Sequence, residues 1–567
     1  MNRKYLFTSL ICAIMMTVLV TSCQKTNQNA NMEKEFKEFI KSFEDKYIPL
    51  YKEANLAYWN AAISGKKEDF DKYNEFQNKI TEIFSNKDNF KKLITFQQSG
   101  SIKDSILNRE LEVLYLRFLA NQVDTAKLNA VNALQNQIEQ KYGNFRANVN
   151  GKEMTDNQIE DILVKSTNSE ELKAAYLAHK KIGTIVDKDI IRLVKMRNEI
   201  AHELGFKNYH DMSLKLSEQN PEEISTLFDE LDNLTKDSFA KEKDRMDEYF
   251  AKRYNISKDK LMPWHYQNRF FQEAPKIYDL DLDSYYKDKD LVKLVGDYYR
   301  GMNMPIDSMI KKSDLFEKPG KNQHAFCNDM DNEGDVRVLA NVVPSEKWMN
   351  TLLHEFGHSA YDRYIDNKNL PFILRDPAHT FTTEAIAEMF GRFSSNADWM
   401  KDMKVISPEE ADKIRDIAFS SLRLQQLVFS RWVQVMYRFE KSMYENPDQD
   451  LNKLWWDLVE KYQLLKKPEG RNEPDWASKI HIATFPCYYH NYLLGELLGS
   501  QLYYYMTKNI LKSEDYKTQS FVNKPEIGKY LIDKVFIPGS RYKWNDMIEK
   551  ATGEKLTPKY YAKQFVN

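Results

Sequence analysis

Glycine and proline are scarce in this chain, at 18 and 17 among 567 residues. Collagen, turn-dense all-β folds and flexible linker architectures need many more of both, so they are excluded. Cysteine is scarcer still, with Cys12, Cys23, Cys327 and Cys487 the only four. Two of these fall in or at the end of an N-terminal leader. The remaining pair makes neither a disulfide framework nor a cysteine-rich metal site, and whether Cys327 and Cys487 bond to each other is left open. Neither sign of charge is in excess: 82 Lys and Arg stand against 84 Asp and Glu, a net −2. Nucleic-acid binders carry a basic surplus, so no such partner is expected. The N-terminal apolar run, Leu6 to Val20, is too short for a comfortable membrane span. What is plentiful is apolar and aromatic side chain, 42% and 13% of residues, enough for a large core and the opposite of a disordered composition.

The apolar run has the build of a secretory leader, with Arg3 and Lys4 ahead of it. It closes on Val20-Thr21-Ser22-Cys23, which resembles a bacterial lipobox, followed by a polar tail from Gln24 to Asn31. Cleavage before Cys23 frees that residue to carry lipid, and several acyl chains hold a protein stably on a bilayer. The expected layout is a leader at 1–22, a lipid-anchored tether at 23–31 and one body at 32–567. The expected location is a bacterial cell envelope, on a membrane through Cys23. An ordinary cleaved leader is the alternative.

The body reads as almost entirely helical, with no fixed-period repeat and no composition break. Thr155 with Gln158 forms a capping-box pattern, as does Asn220 with Glu223, where Pro221 takes the first helical position. Ser407-Pro408-Glu409-Glu410 opens another helix. From there Ile414, Ile417, Ala418, Leu422, Leu424, Leu427, Val428, Trp432, Val435 and Phe439 form a broad apolar stripe towards Asn446-Pro447. One strand is expected where Val336, Val338 and Ala340 alternate with polar residues. Ser345 then caps a helix carrying Trp348, Leu352, Leu353 and Phe356.

That helix holds His354-Glu355-Phe356-Gly357-His358, an HExxH motif. With ten His in the chain, fewer than about 0.03 chance matches are expected. At i and i+4 both imidazoles share one face and can reach one cation. Zinc needs a third protein ligand and an open position. Glu384 and Glu388, also i and i+4, supply candidates: Glu384 as ligand and Glu388 as acceptor for a ligating imidazole N–H, with the reverse assignment possible. Zinc would lower the pKa of its water, and Glu355 could then serve as general base. Downstream, Lys479-Ile480-His481 and Tyr488-Tyr489-His490-Asn491-Tyr492 offer a His and a Tyr as neutral donors for an oxyanion.

Together these residues resemble the angiotensin-converting enzyme family, the peptidyl-dipeptidase A zinc peptidases. His354, Glu355, His358 and Glu384 fit its metal and base positions, and Glu384-Ala385-Ile386 fits its Glu-Ala-Ile. Leu370-Pro371 and Leu374-Arg375 fit its intervening loop, and His324-Ala325 its His-Ala pair. Lys479 with His481 fits a Lys-x-His element, and Tyr489 with Tyr492 a Tyr-x-x-Tyr pair. Gln272 ahead of Ile277-Tyr278-Asp279-Leu280 fits a Gln before Ile-Tyr-Asp-Leu. Arg197-Asn198 through Leu204-Gly205-Phe206 and Tyr209 is similar to an element of related helical zinc peptidases. The resemblance implies two helical halves around a deep cleft, one zinc ion, peptide substrates and release of C-terminal dipeptides. It implies that Gln272, Lys479 and Tyr489 clamp the terminal carboxylate, that His481 and Tyr492 stabilise the reacting carbonyl, and that His324 and the backbone at Ala325 hold the substrate chain.

The chain departs from the family pattern in places. The gap from His358 to Glu384 is two residues longer than usual, and that from His481 to Tyr492 one longer. Asn491 stands where the family has a chloride-binding Arg, so chloride activation is not expected. Phe326-Cys327-Asn328 replaces small residues after His324-Ala325. A thimet-like zinc oligoendopeptidase is the competing reading, since that family also carries His-Glu-Phe-Gly-His and a downstream Glu. A catalytically inactive binding lipoprotein is a third.

Overall fold

The computed structural model describes the backbone of residues 4–566 and the side chains of residues 31–566. The leader, the lipidation candidate Cys23 and the tether up to residue 30 lie outside the residues whose side chains are described. Among the described residues, no helix is long and apolar enough to cross a membrane.

The chain folds mainly into helices, with two small antiparallel two-stranded sheets among the described residues. Those that matter for the site are α1 (Lys4–Ser64), α2 (Lys67–Phe84), α3 (Ser169–Glu203) and α4 (Pro221–Tyr254), then β1 (Phe326–Asp329) and β2 (Val336–Leu339). They continue with α5 (Glu346–Tyr364), α6 (Thr380–Gly391), α7 (Pro408–Glu445) and α8 (His490–Tyr505). Local signals set several of their starts. Thr155 and Gln158 make a reciprocal capping box that starts a further helix, Asp156–Lys165. Asn220 accepts the Glu222 and Glu223 amides with Pro221 at the first position, and Ser407 accepts the Glu410 amide. Ser345 Oγ accepts the Trp348 amide at 3.3 Å and so starts α5.

One continuous hydrophobic cluster reaches from Phe36 to Phe565. Helix α7 runs through it. Its sequence reads as one apolar stripe, yet every residue from Ser430 to Tyr437 is buried. A helix covered on all sides must satisfy its polar side chains internally. Accordingly Arg431 pairs with Asp232, and Gln434 Nε2 donates to the Phe228 carbonyl at 2.6 Å.

Helix α6 lies between α5 and α8, and glycine sets both approaches. A Cβ on Gly357 would stand 2.9 Å from Ala387 Cα, and one on Gly495 3.2 Å from Glu384 Cβ. Only glycine admits such close backbones. The HExxH helix, the Glu384 helix and the Tyr492 helix are thereby drawn together. The alternating segment forms β2 and pairs with β1 in the register Phe326↔Leu339 to Asp329↔Val336. Strand β1 had no sequence signal; the sheet runs alongside α5.

Candidate metal centre and active site

His354 and His358 lie one turn apart on α5, their Nε2 atoms 3.1 Å apart. Helix α6 brings Glu384 Oε2 to 3.7 Å from His354 Nε2 and 3.8 Å from His358 Nε2. Ligands roughly 2.0–2.1 Å from a tetrahedral zinc stand about 3.3 Å from one another. The three atoms therefore approximate one face of such a tetrahedron. Among the described residues, this is the one group of His, Cys, Asp and Glu whose ligand atoms converge within 4.8 Å.

Charge supports the same fit. Glu355, Glu384 and Glu388 surround the two imidazoles, and the ion-pair partners of Glu384 and Glu388 are histidines. Burial pushes Glu384 up to about 7, with Glu388 and Glu355 adding to the shift against His354. Burial works against a charged His354, but Glu388, Glu355 and Glu384 outweigh it and raise its pKa. Burial and His354 drive His358 far down, so it is neutral. A buried, carboxylate-rich pocket with two imidazoles lacks a counter-charge, which a divalent cation supplies. The outer nitrogens also have neighbours. His358 Nδ1 is 2.7 Å from Thr383 Oγ1. His354 Nδ1 is 3.8 Å from Glu388 Oε1, longer than a hydrogen bond.

Glu355 is only 8% exposed. Burial raises its pKa, against pulls from His354 and from the Cys327 amide of β1, which donates to its carboxylate. Cys327 and Cys487 are both free thiols, not bonded to each other, and burial raises both pKa values far above the ordinary thiol range. They are inert by that criterion. His324 is exposed just ahead of β1, and its backbone N–H donates to Asn322 Oδ1 at 2.9 Å. Ala325 is half-buried.

A second cluster is assembled from distant parts of the chain. Lys479 Nζ donates to Gln272 Oε1 at 2.6 Å, across 207 residues. The ammonium also lies 5.1 Å from the Phe270 ring centroid and 5.3 Å from those of Trp432 and Tyr489. Burial pulls its pKa down to about 7. From there ring contacts lead to Tyr492: His481 packs on Tyr489 at 5.2 Å and Tyr489 on Tyr492 at 5.4 Å. Burial raises the Tyr492 pKa, with further pushes from Glu384 and Glu388, so the phenol keeps its proton. Burial lowers His481 to about 4, which keeps it neutral, and its buried Nδ1 has no partner among the described residues.

The segment bearing these groups is tied down by residues that sequence reasoning did not connect to it. Arg197 on α3 donates to the Ala483 carbonyl at 2.7 Å. Glu440 Oε1 on α7 accepts the Cys487 amide at 2.9 Å, where Cys487 has φ +55°. Sequence reasoning also missed Thr383, Phe270 and the Cys327 amide as neighbours of the site. Adjacency to Glu384 was the one available signal for Thr383. Trp432 reads from sequence as core alone, yet it both fills the core and walls the Lys479 cluster.

The fold and site define a helical metallopeptidase in which an HExxH helix meets a glutamate-bearing helix. The family described as angiotensin-converting enzyme matches residues 30–561, and the chain belongs to that family, whose enzymes are zinc metallopeptidases. It is 23% identical over 434 residues to the angiotensin-converting enzyme of Theromyzon tessulatum, covering 71% of this chain and 70% of that one. It is 22% identical over 426 residues to that of Mesocricetus auratus, covering 70% of this chain and 32% of the relative. The chain thus spans about a third of the length of the Mesocricetus auratus relative.

Proposed function

We propose that this protein is a one-zinc peptidyl-dipeptidase that removes dipeptides from the C-termini of peptides, held at a bacterial cell envelope by lipid on Cys23. The observation that carries the reading is the buried Lys479–Gln272 pair. It is a preformed site for a free carboxylate, cationic below about pH 7, and ring contacts run from it through Tyr489 to Tyr492, whose phenol feels the Glu384 carboxylate. An endopeptidase has no use for such a site.

Zinc held by His354, His358 and Glu384 would supply Lewis acidity and a water of lowered pKa. Glu355 takes a proton from the attacking water on its carboxylate and hands it to the departing nitrogen. Tyr492 donates its O–H, and His481 its N–H, to the carbonyl oxygen as negative charge gathers there. Gln272, Lys479 and Tyr489 fix the terminal carboxylate, and so set which peptide bond lies over Glu355. The Cys327 amide points at Glu355, away from β2. Strand alternation puts the backbone of Ala325 on the same free edge, where an extended substrate can pair, and His324 lies beside it.

Products from N-blocked peptides, read by mass spectrometry with and without a chelator, test the proposal. Successive loss of C-terminal pairs, abolished by chelation and restored by zinc, is the expected result. Internal cuts would establish the oligoendopeptidase alternative. Tyr492→Phe should lower kcat by roughly 10²-fold with little change in KM, since the donor acts on charge that develops only in the transition state. Equal effects on both constants would move Tyr492 out of that role.

Chloride should have no effect. Asn491 Oδ1 accepts from Gln219 Nε2 at 2.8 Å, and Gln219 Oε1 lies 2.7 Å from His490 Nε2. Burial holds His490 far below its ordinary pKa and so neutral. A neutral, internally satisfied trio offers an anion no cation. Turnover should be the same in chloride and acetate at fixed ionic strength; activation by chloride would contradict this.

A further inference from the structure

Resting on the dipeptidase reading, we propose that the cavity beyond Glu388 receives the side chain of the substrate's C-terminal residue and selects a basic one, lysine or arginine. The cavity holds about 620 Å³. Helical periodicity aims three site-bearing helices at it. Glu388 follows Glu384 by one turn of α6, Arg392 caps the end of that helix, and Glu496 follows Tyr492 by one turn of α8. Phe429 precedes Trp432 by three residues on α7, and Ala274 is two residues past Gln272. The cavity is thus walled by segments that also carry the zinc-type cluster and the Lys479 cluster, and we place the side chain at the end of the departing dipeptide in it.

Its inner wall is polar and not fully satisfied. Arg392 and Glu496 form a buried ion pair, and Gln426 Nε2 donates to Glu496 Oε1 at 2.8 Å. Gln426 is 4% exposed, yet its Oε1 has no partner among the described residues. Buried acceptors are rarely left unpaired, so this one calls for a donor entering the cavity. Arg392 Nε is likewise unpartnered, and a cavity of this size admits a water to serve it.

Charge decides which donor. The lining carries five carboxylates and two cations. Arg392 and Glu496 neutralise one another, which leaves Asp281, Asp283, Glu346 and Glu388 facing Lys276. An acidic side chain is repelled. A leucine desolvates these carboxylates and leaves Gln426 Oε1 unpaired. A lysine or arginine stem packs along Leu422 and Phe429, and its head donates to Gln426 Oε1 among the carboxylates.

N-blocked peptides that differ only in their last residue, lysine, leucine or glutamate, provide the test, compared by kcat/KM for dipeptide release. Lysine should exceed leucine by about tenfold or more, and leucine should exceed glutamate. Glu346→Gln and Gln426→Leu should each shrink the lysine-to-leucine ratio several-fold. The ratio is taken within one variant, so any loss of folded enzyme cancels. Equal rates for lysine and leucine, a preference for leucine, or an unchanged ratio in both variants overturns the assignment. Dipeptide release indifferent to the last side chain removes this inference alone. Internal cleavage removes the dipeptidase reading and this inference with it.

Discussion

Glu355→Gln should lower kcat by roughly 10² to 10⁴-fold while one equivalent of zinc stays bound. The carboxamide fills the same volume and can still accept the Cys327 amide through its oxygen, so the α5–β1 contact survives. The metal cluster, His354, His358 and Glu384, does not include this side chain. What disappears is a group able to take a proton, and the damage therefore falls on kcat rather than KM. Elemental analysis of the variant and steady-state kinetics on one peptide check both halves. Unchanged turnover would remove Glu355 as the base. Loss of zinc would place it in the ligand set instead.

How much of this site the sequence discloses depends on how far apart its members lie in the chain. His354, Glu355 and His358 occupy one helical turn, and Glu384 and Glu388 another, so periodicity alone assigns each set a common face. Capping residues are equally local, and Ser345 and Ser407 start their helices where expected. The Lys479–Gln272 contact spans 207 residues and follows no repeat. Family resemblance put those two together, and nothing in their own neighbourhoods does. Strand β1 was invisible for a different reason. Phe326-Cys327-Asn328-Asp329 shows no alternation, and all four residues are half-buried, paired with β2 along one edge and packed against α5. The Arg392–Glu496–Gln426 trio lies furthest from sequence reasoning. Each member reads as a solvated polar residue on its own segment, and only the packing of α7 and α8 against the end of α6 buries all three. The same packing explains why the apolar stripe on α7 understated its burial. A stripe predicts one covered face, whereas the remaining faces are covered by polar residues that find partners across helices.

Lys479→Met should raise KM for peptides with a free C-terminus by roughly 10²-fold and leave amidated peptides almost unaffected. Methionine keeps an unbranched stem against Phe270, Trp432 and Tyr489, so the measurement isolates the charge from the packing. The wild type adds a signature that mere packing cannot imitate. Burial holds the Lys479 ammonium at about 7. Below that pH the site is already charged and receives a carboxylate directly. Above it the lysine is neutral, and binding must first draw a proton from solvent. KM for free-carboxylate peptides should therefore climb as pH rises through about 7, while KM for amidated peptides stays level. Stability follows from the same shift. The unfolded chain holds this proton up to roughly pH 10.4, so folding releases it between about 7 and that value, and the folded state gains from rising pH across that window. In Lys479→Met both dependences should flatten together. A KM equally pH-dependent for free and amidated peptides, or unaltered by the substitution, would mean that the ammonium does not meet the substrate carboxylate, and the exact spacing from chain end to cleaved bond would need another source.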